Sequence, residues 1–152
     1  MDGCLFCKIA QGAVTSHKVY EDEKYLGFLT IFPNTEGFTV VIPKEHQPSY
    51  AFEVSDEVLT GLVLAAKKVA KKIDKAYEDV GRTGLIFEGF GVNHLHAKLF
   101  PMHGTGNMAE WKARNSTQDK FFDQYEGYLS SHDGPRANDS KLAEIAEKIR
   151  NA

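Results

Sequence analysis

Apolar and polar residues alternate in short runs over the first forty or so positions, change to a helical period in the middle of the chain, and alternate again near position 95. Lys18-Val19-Tyr20-Glu21 predicts a short edge strand, closed by the charged run Asp22-Glu23-Lys24. Residues 25–31, rich in aromatic and aliphatic side chains, predict a second strand that stops at the turn signal Pro33-Asn34. Residues 37–42 predict a third, placed centrally because it is apolar on both faces, with Pro43 ending it and Lys44-Glu45-His46 in a loop. Over residues 56–78, Leu59, Leu62, Val63, Ala66, Val69, Ala70, Ile73 and Tyr77 recur at steps of three and four, the period of an amphipathic helix. Ser55 suits its N-cap, and Asp56 and Glu57 suit the positive end of its dipole. Lys67, Lys68, Lys71, Lys72 and Lys75 read as its solvated face or, alternatively, as a phosphate-binding patch.

Residues 83–88 and 95–102 predict a fourth and a fifth strand, and residues 4–10 a short helical turn carrying both cysteines. Past Gly104 the chain turns polar, with Trp111, Phe121, Phe122, Tyr125 and Tyr128 as packing anchors and residues 130–136 as a loop. A last amphipathic helix is expected from near Ser140, with Leu142, Ile145 and Ile149 on its apolar side. Strands, one long helix and more strands give an α+β fold with a largely antiparallel five-stranded sheet and a C-terminal helix. Residues 1–104 form the expected core, and residues 105–152 an extension packed on the same single domain.

A length of 152 residues is enough for one domain with a sizeable core. The net charge of −3 argues against general nucleic-acid binding but leaves room for a local anion site. No segment approaches the roughly 20 apolar residues of a membrane span, and the first residues do not read as a secretory signal. With two cysteines three apart, the expectation is a cytoplasmic protein without a disulfide framework.

Candidate chemistry concentrates in Asn93-His94-Leu95-His96-Ala97-Lys98-Leu99-Phe100-Pro101. On a strand, His94, His96 and Lys98 would share one face and Leu95, Ala97 and Leu99 the other. Two imidazoles and an ammonium are costly to bury without partners, so this ridge should meet water, a metal or an anion. An exposed polar strand face is the plainer alternative.

Four blocks in order, Cys4-Leu5-Phe6-Cys7-Lys8-Ile9, Lys18-Val19-Tyr20-Glu21-Asp22-Glu23, Val41-Ile42-Pro43-Lys44-Glu45-His46 and His94-Leu95-His96, resemble the histidine-triad (HIT) nucleotide-binding superfamily over roughly the first hundred residues. The resemblance implies a HIT-like fold, commonly homodimeric, that binds a nucleoside phosphate or dinucleoside polyphosphate and hydrolyses it or transfers its nucleotidyl group. By position, His96 matches the nucleophile, His94 the first triad histidine, and Lys98 the third triad position, making His96 and Lys98 the catalytic pair. Cys4, Cys7, His46 and His94 match the zinc ligands of metal-binding members. Two sulfurs and two nitrogens satisfy a closed, structural zinc site, with free thiols or a redox pair as alternatives. Substrate contacts would fall at Phe28, Thr30, Ile31, Gly89, Gly91 and His103, the last being a substitute acid or a plain surface histidine.

The chain departs from the family pattern at several of these places. Thr30 replaces an aspartate that holds ribose, Phe87 a substrate-binding asparagine, and Gly91 a serine or threonine on phosphate. Lys98 replaces a histidine. Trp111, Lys112, His132 and Arg136 could replace the lost contacts, or be ordinary surface and core residues. The reading is a hydrolase or nucleotidyl transferase acting through His96, against a nucleotide-binding or interaction protein that keeps the fold with little turnover.

Lysine steadies phosphate oxygens but is a poor proton donor near neutrality, its ordinary pKa being about 10.4. Phosphoanhydrides expel a group that needs little protonation, whereas phosphoramidates must protonate a departing nitrogen. The expected outcome is faster turnover of dinucleoside polyphosphates than of aminoacyl nucleoside phosphoramidates. Parallel rate measurements that put the phosphoramidate level or ahead would reject it.

Overall fold

The computed structural model of the chain describes residues 3–110 and Gln124. The chain divides into two units, Met1–Ala109 and Glu110–Ala152, and the described residues make up nearly all of the first. The expected anchors Trp111, Phe121, Phe122, Tyr125 and Tyr128 and the helix from Ser140 lie outside the described residues, as do Lys112, His132 and Arg136.

A short helix, α1 (Leu5–Ala10), precedes three strands, β1 (His17–Glu21), β2 (Tyr25–Leu29) and β3 (Thr39–Pro43). A long helix, α2 (Asp56–Ala76), and two further strands, β4 (Thr83–Ile86) and β5 (Ala97–Pro101), complete the described elements. The five strands form one sheet in the order β1-β2-β3-β5-β4 with every pairing antiparallel, the α+β architecture expected. β3 lies in the middle, and all five of its residues are buried, which is why its sequence is apolar on both faces.

Local chemistry accounts for the ends of these elements. The Ser55 Oγ accepts the Val58 N–H at 3.3 Å and caps α2, whose first turn carries Asp56 and Glu57. The Asp22 carboxylate accepts the Lys24 and Tyr25 N–H groups at 2.9 and 2.7 Å, which folds the β1–β2 hairpin. Gly12, at φ 77°, takes the left-handed conformation just beyond α1, where a side chain would be strained.

The sheet separates two apolar clusters. Val41, Ala97 and Leu99 pack against Leu62, Ala65, Ala66, Val69 and Ile73 of α2, so the predicted stripe of that helix is its buried face. The exposed lysines of α2 lie on its other side. Leu26, Phe28, Val40 and Ile42 pack instead with Ile9, Phe6 and Ala10 of α1. Phe28, Val40 and Lys98 are directly opposed across β2, β3 and β5, so Lys98 belongs to the face that α1 partly covers.

Four strands, β2 to β5, are shorter than the sequence predicts, and the changes at β4 and β5 bear on the site. β4 ends at Ile86, and the following segment passes Gly89, which has φ 72° and lies so close to the loop after β3 that a Cβ would meet the Ser49 carbonyl oxygen at 3.1 Å. β5 starts at Ala97, so His94 and His96 precede the strand. The plainer alternative, an exposed polar strand face, is therefore corrected: His94 and His96 are 0% and 2% exposed, and each ring meets a backbone carbonyl.

Candidate functional site

The segment leading into β5 is fixed by one backbone and one side-chain hydrogen bond rather than by the sheet ladder. The Leu95 N–H donates to the Gln47 carbonyl at 3.0 Å, and the Asn93 Oδ1 accepts the Ser49 N–H at 3.2 Å. These bonds join the segment to the loop that carries His46. The His94 ring reaches the end of β3, where its Nε2 meets the Pro43 carbonyl oxygen at 2.8 Å. A carbonyl only accepts, so Nε2 carries the proton and Nδ1 presents a lone pair.

That lone pair points at sulfur. His94 Nδ1 is 3.4 Å from Cys4 Sγ and 3.5 Å from Cys7 Sγ, and His46 Nδ1 is 3.4 Å from Cys7 Sγ. All four donor atoms lie within 4.8 Å of one another. Tetrahedral zinc bonded at about 2.3 Å to sulfur and about 2.0 Å to nitrogen implies a sulfur–nitrogen edge of about 3.5 Å. The donor set, the spacing and the backbone carbonyl behind His94 all fit such an ion. Burial pushes the Cys7 thiol above its ordinary pKa, an effect that a divalent cation would reverse.

His96 repeats the arrangement one step along the chain. Its Nδ1 lies 2.7 Å from the His94 carbonyl oxygen and donates to it, so Nε2 holds the lone pair. Among the described residues Nε2 has no hydrogen-bond partner. Burial holds the ring pKa below the ordinary histidine value, with the His94 carbonyl opposing it, and the ring is neutral near pH 7. Phe6, which sits between the two cysteines on α1, sets its ring edge-on to His96 at 5.5 Å and to His94 at 5.9 Å.

Lys98 lies two residues further on the same face and pairs with Glu88, both side chains being partly exposed. Burial pushes the Lys98 ammonium down from its ordinary pKa. Glu88 was not among the candidates read from the sequence. Its signal is the register: continuing the β4–β5 pairing past Ile86 and Lys98 would set position 88 opposite position 96.

Other candidates are placed differently. Phe28 is buried under Phe6, with ring centroids 5.6 Å apart. The Thr30 hydroxyl accepts the Phe32 N–H at 3.2 Å, and Ile31 beside it is 73% exposed in the β2–β3 loop. Phe87 packs against the cluster under α2. Gly89 packs on the Ser49 backbone, and a Cβ at Gly91, which has φ 90°, would meet nothing within 4 Å among the described residues. His103 lies beyond the other end of β5, seven residues from His96, and the structure does not bring the two together. Its Nε2 meets the Glu36 carbonyl at 3.0 Å, and its Nδ1 meets the Asp79 carboxylate at 3.1 Å.

The family model of the HIT domain matches residues 11–105. The chain is 38% identical over 117 residues to the protein hit of Bacillus subtilis, covering 73% of this chain and 80% of that one. It is 32% identical over 135 residues to the adenosine 5'-monophosphoramidase HNT1 of Saccharomyces cerevisiae, covering 86% of this chain and 84% of that one. Among solved structures it resembles SMU.412c from Streptococcus mutans, with a TM-score of 0.68, 32% identity and coverage of 99% of this chain and 85% of that one.

The Glu36 carbonyl and the Asp79 carboxylate both raise the pKa of His103. A raised folded-state value means that the pairing stabilises the fold below the unfolded-state pKa of about 6.5, and that this contribution fades as pH rises through the folded value. NMR titration is expected to place the His103 midpoint above the ordinary histidine value, and Asp79→Asn to lower it. A midpoint at or below the ordinary value in the unaltered chain would contradict this pairing.

Proposed function

The chain belongs to the HIT family, and from that membership we propose that it is a nucleotide hydrolase or nucleotidyl transferase in which His96 Nε2 attacks the α-phosphorus of a nucleoside phosphate or dinucleoside polyphosphate. What carries the reading is the tautomer: Nδ1–H is committed to the His94 carbonyl, and a neutral ring leaves Nε2 as the nucleophile. Attack forms a phosphorus–nitrogen bond as the bond to the leaving group breaks, and the leaving group departs with the bonding electrons. Water then adds to phosphorus, expels the imidazole and gives up its proton to solvent, completing hydrolysis in two easier steps. Lys98 offers the cation of the site toward phosphoryl oxygens, at the place where the family pattern has a third histidine.

Support also comes from the relatives, since three similar yeast proteins are named adenosine 5'-monophosphoramidases. In this reading Cys4, Cys7, His46 and His94 hold zinc with all four positions filled, so the ion is structural. Bound there, it supplies cross-linking charge that keeps both sulfurs as thiolates and ties α1 to the segment carrying the nucleophile.

Incubation with a diadenosine polyphosphate is expected to release mononucleotide, and His96→Ala to lower that rate by about three orders of magnitude or more. Mass spectrometry of the stopped reaction should find a nucleotidyl group on His96. Undiminished release by His96→Ala would overturn the assignment, and tight binding without release would favour the non-catalytic alternative.

Metal analysis of protein purified without added zinc is expected to give one zinc per chain, lost in Cys7→Ser. Chelation should lower the melting temperature of the unaltered protein and leave that of Cys7→Ser unchanged. A metal content untouched by the substitution would place the ion elsewhere.

A further inference from the structure

The sequence treats Lys98 as a free cation, but its ammonium meets a carboxylate. Glu88 follows β4 by two residues, and its Oε1 pairs with Lys98 Nζ while both side chains remain only about one-fifth exposed, at 18% and 22%. The proposed nucleophile stands two residues from Lys98 on the same side of the sheet, against α1. A partly buried ion pair is screened less than an exposed one. His96, Lys98 and Glu88 together therefore carry no net charge, although the third triad position holds a cation.

We propose that Glu88 is a specificity-determining residue, a carboxylate that occupies the Lys98 ammonium and so discriminates against nucleotides by the negative charge they carry beyond the α-phosphate. This rests on His96 being the nucleotide site. A phosphate bound at His96 brings its oxygens near Lys98. Each further phosphate adds negative charge that Lys98 can offset only by loosening its hold on Glu88, and the carboxylate stays close enough to repel it. A nucleotidyl donor with an uncharged leaving group meets no such penalty. Lys98 and Glu88 thus pull in opposite directions. The lysine favours leaving groups that need no proton, and the carboxylate favours substrates with few charges.

Calorimetric titration of AMP, ADP and ATP into the full chain as purified, without added magnesium, separates these effects. Glu88→Gln keeps the shape and removes the charge, and is expected to raise the ratio of ATP to AMP affinity about tenfold. Lys98→Met should lower the same ratio below that of the unaltered chain. Glu88→Ala asks the same question should the amide variant not fold. If the unaltered chain binds AMP and neither Glu88 variant changes the ratio by more than about twofold, charge discrimination is overturned while the nucleotide site stands. Equal weakening of all three ligands also overturns it, because a residue that only props the loop would act that way. If the unaltered chain binds none of the three, the nucleotide reading itself fails and the role of Glu88 falls with it.

Discussion

A buried imidazole in this chain is given one tautomer by the backbone carbonyl it meets, and that pairing occurs twice within three residues. His94 donates to Pro43 at 2.8 Å, and His96 donates to His94 at 2.7 Å. Burying a polar ring without partners costs several kcal/mol on the less forgiving scales, on the order of 4–8 for transfer to a medium that cannot hydrogen-bond. One good bond per ring removes much of that cost and fixes the remaining nitrogen as an acceptor. The two acceptors then face different things: Nδ1 of His94 faces two sulfurs, and Nε2 of His96 has no partner among the described residues. The divergent use of two neighbouring histidines follows from which carbonyl each one meets.

The sheet delivers those carbonyls. β3 is buried along its whole length, and its pairing with β5 stops at Val41 and Ala97, which leaves the Pro43 carbonyl to the His94 ring. β5 pairs with β3 only from Ala97 onward, so the preceding segment can turn both rings inward. The bonds from Leu95 to Gln47 and from Ser49 to Asn93 take the place of the missing ladder.

How far the sequence revealed this depends on the range of the interactions. The helical period of α2 and the double-sided apolarity of β3 are local patterns, and both elements appear within a few residues of their predicted bounds. Cys4, Cys7, His46 and His94 were legible as a donor set by type and resemblance, and the fold brings them together across up to 90 residues of chain. The burial of His94 and His96 was not legible, because strand alternation assumes that the ladder continues through them. Glu88 was missed for the same reason. Its partner depends on β4 stopping at Ile86, which no local pattern announces. His103 stood open as a substitute acid or a surface histidine, and an extended strand carries a residue seven positions on from His96 to the far end of the sheet, roughly 20 Å away.

In the proposed reading, the metal site and the nucleophile both depend on His94, and that sharing constrains both. The ring of His94 faces the sulfurs, and its carbonyl orients His96, so any rotation of that peptide removes the bond that fixes the His96 tautomer. Phe6 provides a second link, since it is flanked by Cys4 and Cys7 and packs edge-on against both histidine rings. A helix of six residues has little stability of its own, and α1 depends on these contacts to stay in place. Whatever holds the two sulfurs therefore also holds Phe6 against His96. Replacing either cysteine would reach His96 through packing and through one hydrogen bond, with no direct contact required.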